Sequence, residues 1–212
     1  MTARPAWSVF RAELEERGFR PSRRLGQNFL LDENMVRAIV RDAQVGPGDV
    51  VLEIGAGCGF LSLHLVEAGV DLLCVEVDER LLPIAEKLVS GRGRARFLLA
   101  DVLAGKNALA PEVERALPGS GDWHLVSNLP YSVAGPVLAL LAARAAPPAT
   151  MTVLVQREVA ERIAAKPGTP EWGPLSIRLQ ARYAPWYYVI SGQAFERMRL
   201  SRRVLLGTER IK

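Results

Sequence analysis

The chain has 212 residues, of which 49 % are hydrophobic and 24 % charged. That is ordinary globular composition for one domain, or one and a small appendage, and it excludes disorder, collagen and a disulfide scaffold. The net charge of +4 is unevenly placed: residues 1–50 carry +1, 51–150 carry −3 and 151–212 carry +6. A basic final third suggests a polyanion on one side of the molecule. Only 4 of the 27 basic residues are Lys, so an Arg-rich genome is the plainer alternative.

In chain order, residues 7–17 read as a short charged helix ended by Gly18, and RPSRRLGQNFLLD reads as a loop. Asp32 can cap a helix running to about Gln44, with Met35, Val36, Ile39 and Val40 as its apolar face. Strands are then predicted at 50–54, 72–76, 95–100, 123–127, 151–156 and 185–190. Helices are predicted between them at 60–68, 79–89, 134–145, 156–165 and 173–183. The early strands are short apolar runs, as expected for strands buried on both faces. Strand and helix alternating in this way predict an α/β fold, a mostly parallel sheet with helices on both sides. The last 20 residues are Arg-rich and poorly patterned, with Val204-Leu205-Leu206 as a last short strand.

Cys58 and Cys74 are the only cysteines, too few for a disulfide framework or a zinc set. A reducing cytoplasm is the expectation. His64 and His124 have no neighbouring ligands, so no metal is expected. MTARPAW lacks the apolar core of a signal peptide. The uncharged stretch 123–143 is broken by Asn, Ser, Gly and Pro and does not read as a membrane span.

VLEIGAGCGFLSLHL reads as strand, turn, helix. Gly55, Gly57 and Gly59 let the backbone turn tightly and approach a ligand at the carboxyl edge of the sheet. The pattern is G-x-G-x-G, neither the dinucleotide G-x-G-x-x-G nor a P-loop, which needs Lys-Ser/Thr. Glu76 closes the second strand, where a carboxylate can accept hydrogen bonds from both hydroxyls of a ribose. Asp101 follows the third strand, where it can accept from an adenine amino group. With Glu53 these acids are either helix caps or one pocket for an adenosine without phosphate. Acids repel phosphates and suit a cation, which fits S-adenosylmethionine. A nicotinamide dinucleotide remains the alternative, because Glu76 would serve it equally.

Ser127-Asn128-Leu129-Pro130-Tyr131 after the fourth strand resembles the [D/N/S]-P-P-[Y/F/W] motif of methyltransferases acting on exocyclic nitrogens. An adenine N6 lone pair is delocalised into the ring and is a poor nucleophile. The Asn128 side-chain oxygen and the Pro130 carbonyl would accept its two N–H bonds, and Tyr131 would stack on the extruded base. The other reading is a plain Asn-Pro turn with a core Tyr.

Leu25-Gly-Gln-Asn-Phe-Leu30, Glu53-Ile-Gly-Ala-Gly-Cys-Gly59, Val75-Glu-Val-Asp78, Ala100-Asp101 and Asn128-Leu-Pro-Tyr131 are followed by Gln156-Arg-Glu-Val-Ala-Glu-Arg162, Lys166-Pro-Gly168 and Gly173-Pro-Leu-Ser176. Over residues 20–190 the chain resembles the small-subunit ribosomal RNA adenine dimethyltransferases. The resemblance implies a Rossmann-like class I methyltransferase fold with S-adenosylmethionine as cofactor. It also implies transfer of methyl groups to N6 of two adjacent adenosines near the 3′ end of small-subunit rRNA, late in subunit assembly. By position, Gln27, Asn28 and Leu30 would contact the donor, and Glu53, Gly55, Gly57, Gly59, Glu76, Asp101 and Asn128 would complete its site. Asn128, Leu129, Pro130, Tyr131 and Phe195 would face the target base. A monomer that binds rRNA and no membrane is expected.

The family's segment F-x-P-x-P-K-V is altered here. Phe195 keeps its place, but Arg197 and Arg199 stand where the prolines belong, and losing two prolines frees the backbone. The expected organisation is a methyltransferase domain over 1–190, including a helical extension over 1–45, and an Arg-rich tail over 191–212. The family's small helical C-terminal domain is not expected within these 212 residues. Two rivals remain: a large-subunit rRNA or DNA adenine N6-methyltransferase, and a non-catalytic assembly factor that retains donor binding.

Overall fold

The structure is a computed structural model that describes residues 33–105, 107–189 and 195–202. Helix α1 (Glu33–Ala43) leads into strand β1 (Val50–Ile54). There follow α2 (Phe60–Glu67), β2 (Asp71–Glu76), α3 (Leu82–Val89), β3 (Arg94–Leu99), α4 (Pro111–Ala116), β4 (His124–Asn128), α5 (Ala134–Ala143), β5 (Thr150–Gln156), α6 (Arg157–Ala164), α7 (Pro174–Gln180), β6 (Tyr183–Val189) and β7 (Phe195–Arg202).

The seven strands form one sheet in the order β3-β2-β1-β4-β5-β7-β6. Strands β1 to β5 are parallel, and β7 inserts antiparallel between β5 and β6. The period of two places successive residues on opposite faces. Leu52, Ile54, Leu73, Val75, Leu125, Met151 and Val153 pack into one core against α4, α5, α6 and α7. Val51, Leu72, Cys74, Val126 and Leu154 pack into a second core against α1 and α2. Burial on both faces explains why these strands are mostly apolar.

Two elements differ from the sequence reading. Helix α4, PEVERA, is absent from it, because six residues are too short to show helical periodicity. Strand β7 runs over 195–202, within the stretch read as an Arg-rich tail. The alternation Met198-Arg199-Leu200 is a strand pattern that the density of arginine obscured. The strand read at 204–206 lies outside the described residues.

Candidate functional site

The site lies where β1, β2, β3 and β4 end. The chain leaves β1 at Gly55, whose N–H donates to the Val75 carbonyl at 2.7 Å. Gly55 has φ +75°, a left-handed conformation in which a Cβ would also meet Pro130 Cγ at 3.0 Å. Gly59 closes the turn with φ +86°, and a Cβ there would meet Ala85 Cα of α3 at 2.9 Å. One glycine thus lets the turn reach the loop after β4, and another lets α2 pack on α3. The Ser127 hydroxyl joins the same two strand ends by donating to the Ile54 carbonyl at 2.6 Å.

The Glu76 carboxylate is drawn into the turn. Its Oε2 accepts the Gly57 N–H at 2.7 Å, and its Oε1 accepts those of Val77 and Asp78, each at 2.9 Å. Burial raises its pKa, and the three amides oppose that rise by favouring the charged form. These amides take three of the roughly four acceptor positions of a carboxylate. About one acceptor position is left on Oε2. Asp78 is buried beside it and pairs with Arg80, Nη2 to Oδ2 at 2.6 Å. The Glu76 carbonyl accepts the Ala100 N–H at 2.9 Å, which places Asp101 at the same rim. Asp101 is exposed, and its Oδ1 accepts the Leu103 N–H at 2.9 Å.

Glu53 lies below the turn and not at its rim. Strand parity turns it with Val51 toward α2, where it is 2 % exposed. Its Oε2 accepts the Ser62 hydroxyl at 2.6 Å and the Cys74 thiol at 3.5 Å. Burial pushes its pKa up to about 8. Cys58, buried inside the turn, is pushed up to about 12 by burial and by Glu76 and Asp78. Neither thiol is bonded to the other, and both are buried.

Asn128 is the last residue of β4 and is level with Leu154 of β5. Leu129 is buried, while Asn128, Pro130 and Tyr131 are half-buried. The Pro130 carbonyl, read from the sequence as an acceptor, has backbone partners of its own. It already receives the N–H groups of Val133 and Ala134, each at 3.2 Å, as the chain turns into α5. Register brings Phe195 level with Gln156, at the carboxyl end of β5 and so at the same edge. The Phe195 side chain, Gln27, Asn28 and Leu30 lie outside the described residues.

The sequence reading missed Val77. It directly follows the Glu76 acid and is 45 % exposed, unusual for a Val in a chain this well packed. An apolar residue just after a strand-ending acid was the available signal. His64 Nδ1 lies 2.9 Å from the Phe60 carbonyl, and His124 Nδ1 lies 2.8 Å from the Thr150 hydroxyl. Among the described residues no group of acids, Cys and His could hold a metal ion, and no helix is long and apolar enough to cross a membrane.

The strand order, the single antiparallel β7 and the Gly-rich turn tied to the acid of β2 define a Rossmann-like class I S-adenosylmethionine-dependent methyltransferase fold. Two solved structures share it. A dimethyladenosine transferase from Plasmodium falciparum superposes with a TM-score of 0.66 at 19 % identity, covering 81 % of this chain and 62 % of that one. The 23S rRNA methyltransferase ErmE also gives 0.66, at 22 % identity over 83 % of this chain and 70 % of that one. Residues 18–186 match the ribosomal RNA adenine dimethylase family, and the chain belongs to that family. Curated relatives include the ribosomal RNA small subunit methyltransferases A of Lysinibacillus sphaericus and Leifsonia xyli. The first is 39 % identical over 83 % of this chain and 57 % of its own length. The second is 40 % identical over 91 % and 68 %. The chain thus spans little more than half the length of the first of these relatives.

Proposed function

We propose that this chain transfers methyl groups from S-adenosylmethionine to N6 of two adjacent adenosines near the 3′ end of small-subunit rRNA. It would dimethylate both during small-subunit assembly, in the cytoplasm and as a monomer. The observation that carries the reading is the 2.7 Å bond from Gly57 to Glu76, in a turn that abuts Pro130 of the acceptor loop. Membership of the ribosomal RNA adenine dimethylase family supports the substrate class.

S-adenosylmethionine supplies an electrophilic methyl group on a sulfonium. The residues present fit such a molecule. Glu76 has an acceptor position for a ribose hydroxyl, Val77 offers apolar surface to a base, and Asp101 stands ready for an adenine amino group. The acids at this edge favour a cation over a phosphate. Gln27, Asn28 and Leu30 would complete the donor site, with Gly55, Gly57 and Gly59 shaping its floor. Glu53 would hold the turn from below through Ser62.

On the acceptor side, Asn128 Oδ1 would accept one N6 hydrogen. The Leu129 carbonyl would accept the other, since that of Pro130 is engaged. Two acceptors oppose delocalisation of the N6 lone pair into the ring and aim it at the donor. Tyr131, with Phe195 of β7, would stack on the base. Positioning and electrostatics would do most of the work, with no strong general base.

The test offers labelled donor to the 212-residue chain with small subunits lacking the modification, large-subunit rRNA and DNA. Two adjacent dimethyladenosines in the small-subunit RNA are expected. Label only on large-subunit rRNA or DNA would refute the substrate, and donor binding without turnover on any of them would refute catalysis.

A further inference from the structure

A groove of about 1090 Å³ runs between α5, α6 and α7. Arg162, Arg178 and Arg182 line it, and no Asp or Glu does. We propose that this groove binds the RNA sugar–phosphate backbone adjoining the target adenosines, because three exposed guanidiniums line it as it runs along α5, from Gly135 near the acceptor loop to Arg182 beside the Arg144 carbonyl at the helix's far end. The inference rests on the methyltransferase reading above and adds a docking surface to it.

The charge is the first argument. Arg37, Arg80, Arg94 and Arg144 each pair with a carboxylate. None of the three groove arginines pairs with an acid among the described residues, and Arg182 donates only to the Arg144 carbonyl, at 3.3 Å. Arg178 lies on α7, and Arg182 lies in the turn that follows it. Arg162 faces them from the last turn of α6. Unpaired guanidiniums in a row suit a chain of phosphates, each able to take a bidentate pair of hydrogen bonds.

The groove is also rigidly built. The Ser176 hydroxyl donates to the Arg162 carbonyl at 2.5 Å and accepts the Gly173 N–H at 3.1 Å. Gln180 Nε2 donates to the carbonyls of Ile163 and Ala165, each at 2.8 Å. Both side chains close the open end of α6, so α6 and α7 carry their arginines as one unit. Ile177 adds apolar surface, 54 % exposed, suited to sugar faces. Continuity with the acceptor loop selects RNA over another polyanion. Gly135 and Pro136, at the groove's wall, lie four and five residues after Tyr131. A strand whose adenosine entered the acceptor loop would pass directly into the groove.

The test compares the full chain with a triple variant, Arg162→Gln, Arg178→Gln and Arg182→Gln, and with Arg94→Gln on the far edge of the sheet. Binding to a 3′-terminal small-subunit rRNA fragment is measured by anisotropy at several salt concentrations. Donor binding is measured by calorimetry, and mass by sedimentation. The triple variant is expected to lose at least about tenfold in RNA affinity, with the salt slope reduced by about 0.7–0.9 per arginine removed. Donor binding should be unchanged, and Arg94→Gln should behave as wild type. Equal RNA affinity and slope in the triple variant would overturn the inference while wild-type methyl transfer left the proposed function standing. A change in mass with RNA affinity unchanged would mark a protein-docking surface and overturn it too. Absence of RNA binding by the wild-type chain would overturn it, and donor binding and transfer in the same preparation would show whether the function fails as well.

Discussion

Gly55 and Pro130 meet across the top of the sheet: a side-chain carbon added at Gly55 would lie 3.0 Å from Pro130 Cγ. The donor turn and the acceptor loop are therefore one packed unit. Gly55→Ala should cost about 2–3 kcal/mol, combining left-handed strain with the contact against Pro130. Denaturant unfolding measures the cost. Methyl transfer should fall further than donor binding, because Pro130 must move; wild-type stability and transfer would contradict the contact.

Glu76→Ala removes the acceptor shared by three amides. Donor affinity should weaken by about 1–3 kcal/mol. Calorimetry with S-adenosylmethionine or its demethylated product gives the number, and an unchanged affinity would refute the ribose assignment.

Glu53 predicts a pH dependence of stability. Its folded pKa of about 8 stands above the ordinary value of 4.5. Between those values the unfolded chain ionises while the folded one keeps its proton, so stability falls as pH rises from about 4.5 to 8 and is flat beyond. Each pKa unit corresponds to about 1.4 kcal/mol, so the loss amounts to a few kcal/mol. Glu53→Gln should remove most of this slope. Urea unfolding at pH 5 and pH 8 tests it; parallel pH profiles for wild type and variant would show that Glu53 ionises normally.

Ser176→Ala strips a buried donor and acceptor from the α6–α7 junction. A loss of about 1–3 kcal/mol is expected, with RNA affinity reduced as the arginines lose their fixed spacing. Thermal unfolding and anisotropy read the two effects, and a neutral variant would contradict the brace.

The core strands and the Gly-rich turn were legible because apolar runs and glycine spacing carry local physics. Glu76 and Asp101 were also placed correctly at strand ends beside the turn. Glu53 looked like their equal, and only strand parity shows its carboxyl buried against Ser62 and Cys74. The Pro130 carbonyl looked available, since no sequence pattern reveals that the first turn of α5 captures it. Strand β7 was hidden by its arginines, because its place between β5 and β6 is a tertiary pairing. The Arg162–Arg178–Arg182 grouping joins residues on two helices and was visible beforehand only as the excess charge of the last third.

The central claim is a division of labour between two linked loops, Glu76 for the donor and Asn128 for the acceptor nitrogen. Its most direct test is the Asn128→Ala chain, assayed for methyl transfer to small-subunit particles and, in parallel, for donor binding. Transfer should fall by about 10²–10³-fold while donor affinity stays within about threefold of wild type. Loss of donor binding in step with transfer would contradict the claim and make Asn128 part of the donor site alone.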